Sequence, residues 1–355
     1  MRKLATIQKI KAVRPIEGAD AIEVADVLGW HVVVKKDEFK PGDYCVYCEI
    51  DSILPPENKY FAFLEGKRIR TIKLRGQISQ GIAFPLCVLE GYDKPFEEGV
   101  DVTEFLGVKK WEAKAAPWYV VKKPQNNKWY MKYRIGRWFY EKFIYKPSLG
   151  DFPKWIHKTD ETRVQVLQDV LYKYKGQVFL ATEKLDGSSI TFWREDGKFH
   201  VCSRNREILD KSHIMYVTAK KYADSLEVLP DRTVFQGEFI GENVQGNKYK
   251  LKGHDIYVFN IINHNGIYLN YQMMETICGA LNIKIVPLVD QINITDDVDE
   301  LVEKSIGKSK ICNTVEREGI VLRPAIDIYL NDSRFVGGRL SFKVINPKFL
   351  LKYEE

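Results

Sequence analysis

Along residues 1–105 the apolar positions fall in short runs rich in β-branched residues. The runs are "LATIQKIKAV", "AIEVADVLGWHVVVKK", "DYCVYCEID" and "RIRTIKL", separated by turn signals such as "KPGD" and "LPPEN". Short strands this closely spaced predict a small β-barrel. An OB-type barrel fits, and strand count alone does not separate it from an SH3-like one. In "IKLRGQISQG" the polar residues Lys73, Arg75, Gln77 and Ser79 alternate, as along one strand face, either solvated or turned to a polymer.

From residue 151 onward the pattern mixes two periods. "QVFLATEKL", "SITFWRE", "KFHVCSR", "TVFQGEFIG", "DIYVFNIIN", "GIVLRP" and "LSFKVIN" read as strands. "DETRVQVLQDVLYKY" reads as a helix opening at Thr159 or Asp160 with acids in its first turn, and "NYQMMETICGAL" and "DELVEKSIG" read as two more. The predicted class is α+β, with much antiparallel pairing and flanking helices.

Composition adds a division. The 355 residues suffice for two domains, and 45% apolar with 29% charged residues describes an ordinary soluble globular chain. The net charge of +6 is unevenly spread: Lys109 to Gly150 holds 11 Lys and Arg against two acids, interleaved with aromatics. Such a stretch offers charges for phosphates and π-faces for bases, and it reads equally well as an amphipathic linker. The expected organisation is a barrel domain over 1–125, a basic aromatic linker over 126–150 and an α+β domain over 151–355. There is no apolar leader after "MRK" and no run of membrane-spanning length, so neither secretion nor membrane insertion is expected. Six dispersed cysteines suit a cytoplasmic or other reducing compartment. Cys45 and Cys48 have zinc-ligand spacing, but no second close pair completes a site, and their alternation suits a strand.

The chemistry starts at "ATEKLDGSS". A lysine is a poor nucleophile while protonated and a good one when its surroundings favour the free amine. Lys184 follows an apolar strand, Asp186 lies two residues on, and Gly187 permits a sharp turn and close approach to a ligand. Alone, Lys-x-Asp-Gly reads as a turn with a solvated lysine. Downstream, however, come Arg204 and Asn205 in "CSRNRE", Glu238 in "FQGEFIGE", Phe259 in "YVFNI", Glu318 in "REGIVLRP" and Lys343 in "SFKVINPKFLLK".

In this order the set resembles motifs I, Ia, III, IIIa, IV and V of the covalent nucleotidyltransferases, the polynucleotide ligases and mRNA capping enzymes, and among them most closely the RNA ligases. "IEVADVLGWHVVVKKDEFKPGDYCVYCEIDSILP", "IKLRGQISQGIAFPL" and "IHKTDETRVQ" resemble the RNA ligase family whose OB domain precedes the nucleotidyltransferase domain. The resemblance implies ATP as substrate, Mg²⁺ or Mn²⁺ as cofactor, and RNA with 3′-OH and 5′-phosphate ends, as in a nicked duplex, as partner. Lys184 is then the nucleophile that forms lysyl-AMP. Its neutral form is favoured by the metal and by Lys343, which holds the α-phosphate. Asp186, Glu238 and Glu318 hold the metal directly or through water. Arg204 lies by ribose or phosphate, with Asn205 also in the nucleotide-binding set, Phe259 by the adenine face, and the Glu183 backbone by the adenine edge; Glu238 also suits a ribose hydroxyl. Many ligases carry Lys-x-Lys in motif V; here Ile345 takes the second place, and Lys348 replaces it if the chain bends at Pro347. Arg163 and Gln165 receive no chemistry. A monomer is expected. DNA ligase, capping-type guanylyltransferase and a catalytically silent RNA-binding protein are the alternatives.

Overall fold

The computed structural model describes residues 3–112, 133, 135 and 148–353. The basic aromatic stretch therefore lies almost wholly outside the described residues.

The N-terminal part is built on β1 (Ala5–Pro15), β2 (Ile22–Val27), β3 (Trp30–Lys35), β4 (Tyr44–Cys48), β5 (Ser52–Ile53), β6 (Ile72–Leu74), β7 (Gln77–Ser79), β8 (Ile82–Pro85) and β9 (Lys109–Lys110). Its main sheet has the order β3-β2-β1-β4-β8. A register shift between Ile10 and Ala12 bends β1, so that its first half pairs with β4 and its second with β2. Such a bulge is how one long strand serves two walls of a curled sheet. Ile7, Ile10, Trp30, Tyr47 and Ile50 fill the interior. Cys45 and Cys48 are buried there, and burial pushes the Cys45 thiol up to about 12, which leaves it inert at neutral pH. The alternation from Lys73 to Ser79 does not form one strand face. Arg75 and Gly76 take left-handed conformations and fold the stretch into the β6–β7 hairpin.

Residues 148–353 hold β10 (Leu149–Asp151), β11 (Thr162–Arg163), β12 (Val178–Lys184), β13 (Ser188–Glu195), β14 (Lys198–Ser203), β15 (Arg206–Ile208), β16 (Val234–Gly241), β17 (His254–Ile262), β18 (Leu288–Asn293), β19 (Gly319–Pro324) and β20 (Phe342–Ile345). They form two sheets, β10-β15-β14-β13-β16-β17 and β11-β20-β19-β12-β18. The α-helices of this part are α1 (Gln168–Tyr174), α2 (Ile214–Lys220), α3 (Tyr271–Ala280), α4 (Val298–Ser305) and α5 (Pro347–Tyr353). Asn270 and Asp297 cap α3 and α4 by accepting backbone N–H groups. The helix expected from Thr159 begins only at Gln168. Thr162 and Arg163 are extended instead, drawn into parallel pairing with Phe342 and Lys343. Among the described residues no helix is long and apolar enough to cross a membrane.

The two parts share a core and a boundary. Ile345, Phe349 and Leu350, from the last strand and α5, belong to the apolar cluster of the N-terminal barrel. The Gly29 N–H donates to the Gln165 carbonyl at 2.9 Å, and a Cβ on Gly29 would meet Gln165 Cα and Val298 Cγ1 at 3.0 Å. Arg163 reaches Asp51 at 3.4 Å and lies 5.7 Å from the Trp30 ring. The segment around Arg163 and Gln165 is thus a joint between the parts.

Candidate active site

The lysine stretch over residues 181–189 is the crossing between the two sheets. β12 belongs to one, β13 to the other, and only Leu185, Asp186 and Gly187 connect them. The turn is tight: a Cβ on Gly187 would lie 2.5 Å from Ile240 Cγ2 and from the Phe239 carbonyl oxygen. A residue without a side chain is required by that approach.

Strand register then gathers the acids. Lys184 pairs with Gly319 across the β12–β19 ladder, which sets Glu318 beside it, and Lys184 Nζ lies 2.5 Å from Glu318 Oε1. Ser189 pairs with Glu238 across β13–β16, and Glu238 Oε1 accepts the Gly187 N–H at 3.0 Å. Asp186 accepts a hydrogen bond from Lys248 Nζ, and its own N–H donates to the Tyr249 hydroxyl at 2.7 Å.

By themselves the carboxylates favour the ammonium form of Lys184; the neutral amine is expected once a metal joins the site. Burial pulls its pKa down, but Glu318 and Glu238, with Asp186 behind them, outweigh burial and raise it above the ordinary lysine value. Lys343 faces Asp160 at 3.4 Å and also favours the ionised form of Glu318. Burial pushes Glu238 up to about 8, with Lys184 opposing and Glu318 assisting. Burial likewise raises Glu318, against the pull of Lys184.

Asp160, read from the sequence only as a helix opening, lies at this site instead. It bridges Lys343 and Arg204, each at 3.4 Å. Burial would raise its pKa, but Lys343, Arg204 and Lys110 outweigh burial and lower it. Asn205 stands next to this group and accepts from Lys158 at 3.0 Å.

Phe259 sits where the β16–β17 register shifts between Gln236 and Gly237: Val258 and Asn260 are paired and Phe259 falls between them. It is half-buried beside Leu185, Tyr249 and Val286, and its carbonyl accepts from Arg323 at 2.7 Å. Glu183 alternates with Lys184 along β12. It is almost fully buried, and its Oε2 accepts the Lys310 N–H at 2.7 Å. Its backbone N–H is already committed to the Pro287 carbonyl at 2.8 Å. Lys348 is exposed in the first turn of α5.

The carboxylates suit a hard divalent cation. Glu318 Oε2 is buried without a hydrogen-bond partner, an acceptor left for a ligand. No group of three or more His, Cys, Asp or Glu side chains converges as a metal cage among the described residues.

Comparison with known proteins bears on the fold and the family. A family model described as an OB-fold domain matches residues 4–86, and one described as RNA ligase matches residues 177–345. Among curated proteins nothing matches. Among solved structures, a lysine-to-alanine variant of Naegleria gruberi RNA ligase with ATP and Mn is 34% identical, covers 98% of each chain and has a TM-score of 0.81. The same ligase with PPi is 34% identical over 100% of this chain and 99% of that one, with a TM-score of 0.81. A glutamate-to-alanine variant with AMP and Mn is 34% identical over 98% of both chains, with a TM-score of 0.80. With this identity over the full length, the chain belongs to the RNA ligase family and carries an OB-fold domain ahead of its ligase domain.

Proposed function

We propose that this RNA ligase uses ATP to join a 3′-OH to a 5′-phosphate RNA end, as in a nicked duplex, and that Lys184 carries the AMP between steps. The observation that supports it most is the meeting of Lys184, Glu318, Glu238 and Asp186 at the crossing between two sheets. A lysine among three carboxylates is what covalent adenylation asks for, and RNA binding alone does not call for it.

In the first step the Lys184 amine attacks the α-phosphorus of ATP. A P–N bond forms, the bond to the bridging α–β oxygen breaks, and pyrophosphate leaves. The AMP then passes to the 5′-phosphate end, and the 3′-hydroxyl displaces it. Each step is a phosphoryl transfer, so positioning and charge neutralisation supply most of the rate. Asp186, Glu238 and Glu318 would hold Mg²⁺ or Mn²⁺, which when bound neutralises the α-phosphate and favours the free amine of Lys184. Lys343 and Arg204, poised on Asp160, exchange that carboxylate for substrate phosphate or ribose, with Asn205 beside them. Phe259 offers its ring to adenine, and the Glu183 carbonyl offers an acceptor at the adenine edge.

The OB unit through residue 125 and the basic linker over 126–150 would grip the RNA, leaving 151–355 as the adenylation unit. The protein acts as a monomer in a reducing intracellular compartment. Nicked duplexes differing only in the sugar at the 3′-OH terminus test the reading: sealing should require ATP and a ribose terminus. Equal sealing of a DNA nick would favour a DNA ligase, and GTP-dependent labelling a capping enzyme.

A further inference from the structure

Asp186 is held by one loop at two points. The Tyr249 hydroxyl takes its backbone N–H, and the Lys248 ammonium takes its carboxylate. Both carboxylate and ammonium are well covered, with 19% and 17% of their side chains exposed. The ammonium also donates to the Gln245 carbonyl at 2.9 Å and lies 5.5 and 5.6 Å from the ring centroids of Phe349 and Tyr353. Those rings belong to α5, which is rooted in the barrel core. Gln245 adds a third point, donating to the Gly187 carbonyl at 3.3 Å.

The loop that carries these groups is strained. Asn243, Gln245, Asn247 and Lys250 all have φ between 45° and 63°. Side-chain-bearing residues rarely adopt this region, and a cluster of them is kept where the geometry itself matters.

We infer that Lys248 is a resident cation at Asp186: it occupies the carboxylate in the nucleotide-free enzyme and yields it to the divalent cation that arrives with ATP. The inference rests on the reading of Asp186 as a cation-holding carboxylate. Two lysines thereby answer two acids, Lys184 on Glu318 and Lys248 on Asp186, so a divalent cation alone finds neither acid unneutralised. The displaced ammonium stays off water, because the faces of Phe349 and Tyr353 lie beside it. Their attachment to the barrel makes the OB unit part of the device.

Binding of Mn²⁺ alone to the nucleotide-free, full-length protein tests this, read by the electron paramagnetic resonance signal of free Mn²⁺. Lys248→Met keeps the stem against the rings and removes the charge. It should bind Mn²⁺ about tenfold more tightly than the parent protein, since one nearby unit charge is worth at least that. Lys248→Arg should match the parent, and Lys248→Gln serves as a second neutral probe if the Met variant does not fold. Equal Mn²⁺ affinity in parent and neutral variant overturns the inference, as does an Arg variant that binds as tightly as the neutral one. Asp186→Asn separates the two levels. If it leaves Mn²⁺ binding in the presence of ATP unchanged, the reading of Asp186 fails. If it weakens that binding while the neutral variant matches the parent, only the role of Lys248 fails.

Discussion

Lys184 Nζ stands 2.5 Å from Glu318 Oε1, although 134 residues separate the two in sequence. The β12–β19 register makes the pair, so the ion pair and the fold of the sheet are one feature. Glu318→Ala removes the carboxylate without cutting a ladder hydrogen bond. The variant should fold with near-parental circular dichroism while its adenylation rate falls at least about 100-fold. Unchanged adenylation kinetics would remove Glu318 from the mechanism.

Glu238 supplies a pH dependence. Its pKa rises from 4.5 to about 8 in the folded protein. Between these values the folded state keeps a proton that the unfolded chain releases, so the Glu238 contribution to stability falls as pH rises through that window. Charge at the site follows the opposite course: cation binding requires ionised Glu238, and adenylation should climb toward pH 8. Glu238→Gln should flatten both slopes, as read from urea titrations and single-turnover labelling across pH 5–9. An unchanged stability slope would contradict the burial argument.

His31 provides a second pH dependence, at the joint between the domains. Its Nδ1 is 2.7 Å from Asp26 Oδ1, its Nε2 is 3.0 Å from Asp299 Oδ1, and Arg14 approaches Nδ1 at 3.3 Å. The hydrogen bond to Asp299 raises its pKa above 6.5, burial opposing and Asp26 assisting. A raised imidazole stabilises the fold fully below about 6.5, and that contribution is lost as pH rises through the folded value. Thermal melts of His31→Gln should lose stability relative to the parent at pH 6 and converge with it at pH 9.

Gly187→Ala tests the crossing. Its Cβ would press on Ile240 and on the Phe239 carbonyl at 2.5 Å. The turn must shift, at a cost of about 1–3 kcal/mol, and the Gly187 N–H leaves Glu238. Loss of both stability and adenylation is expected; an alanine variant with parental melting and labelling would show that the turn has slack.

Much of the fold was legible because its strands are bounded by turn signals and its apolar runs are short. The order of Lys184, Glu238, Glu318 and Lys343 along the chain marked them as one candidate group, and the sheets do bring them near one another. The hairpin at Arg75–Gly76 was not, since a left-handed arginine leaves no mark on hydrophobic alternation. Nor was the late start of α1, where a tertiary pairing of Thr162 and Arg163 overrides helical periodicity. Asp160 and Lys248 gain meaning only from distant partners, Lys343, Arg204 and Asp186, and no local pattern announces such partners. The dense Asn, Gln and Gly content near Lys248 was the one available hint of a special loop.

The covalent step carries the whole account, and peptide mapping of the protein after incubation with ATP and Mn²⁺ tests it most directly. The account predicts one AMP per chain, attached to the peptide containing Lys184, and no adduct in Lys184→Met. An adduct on any other residue, or undiminished labelling of the Met variant, would contradict it.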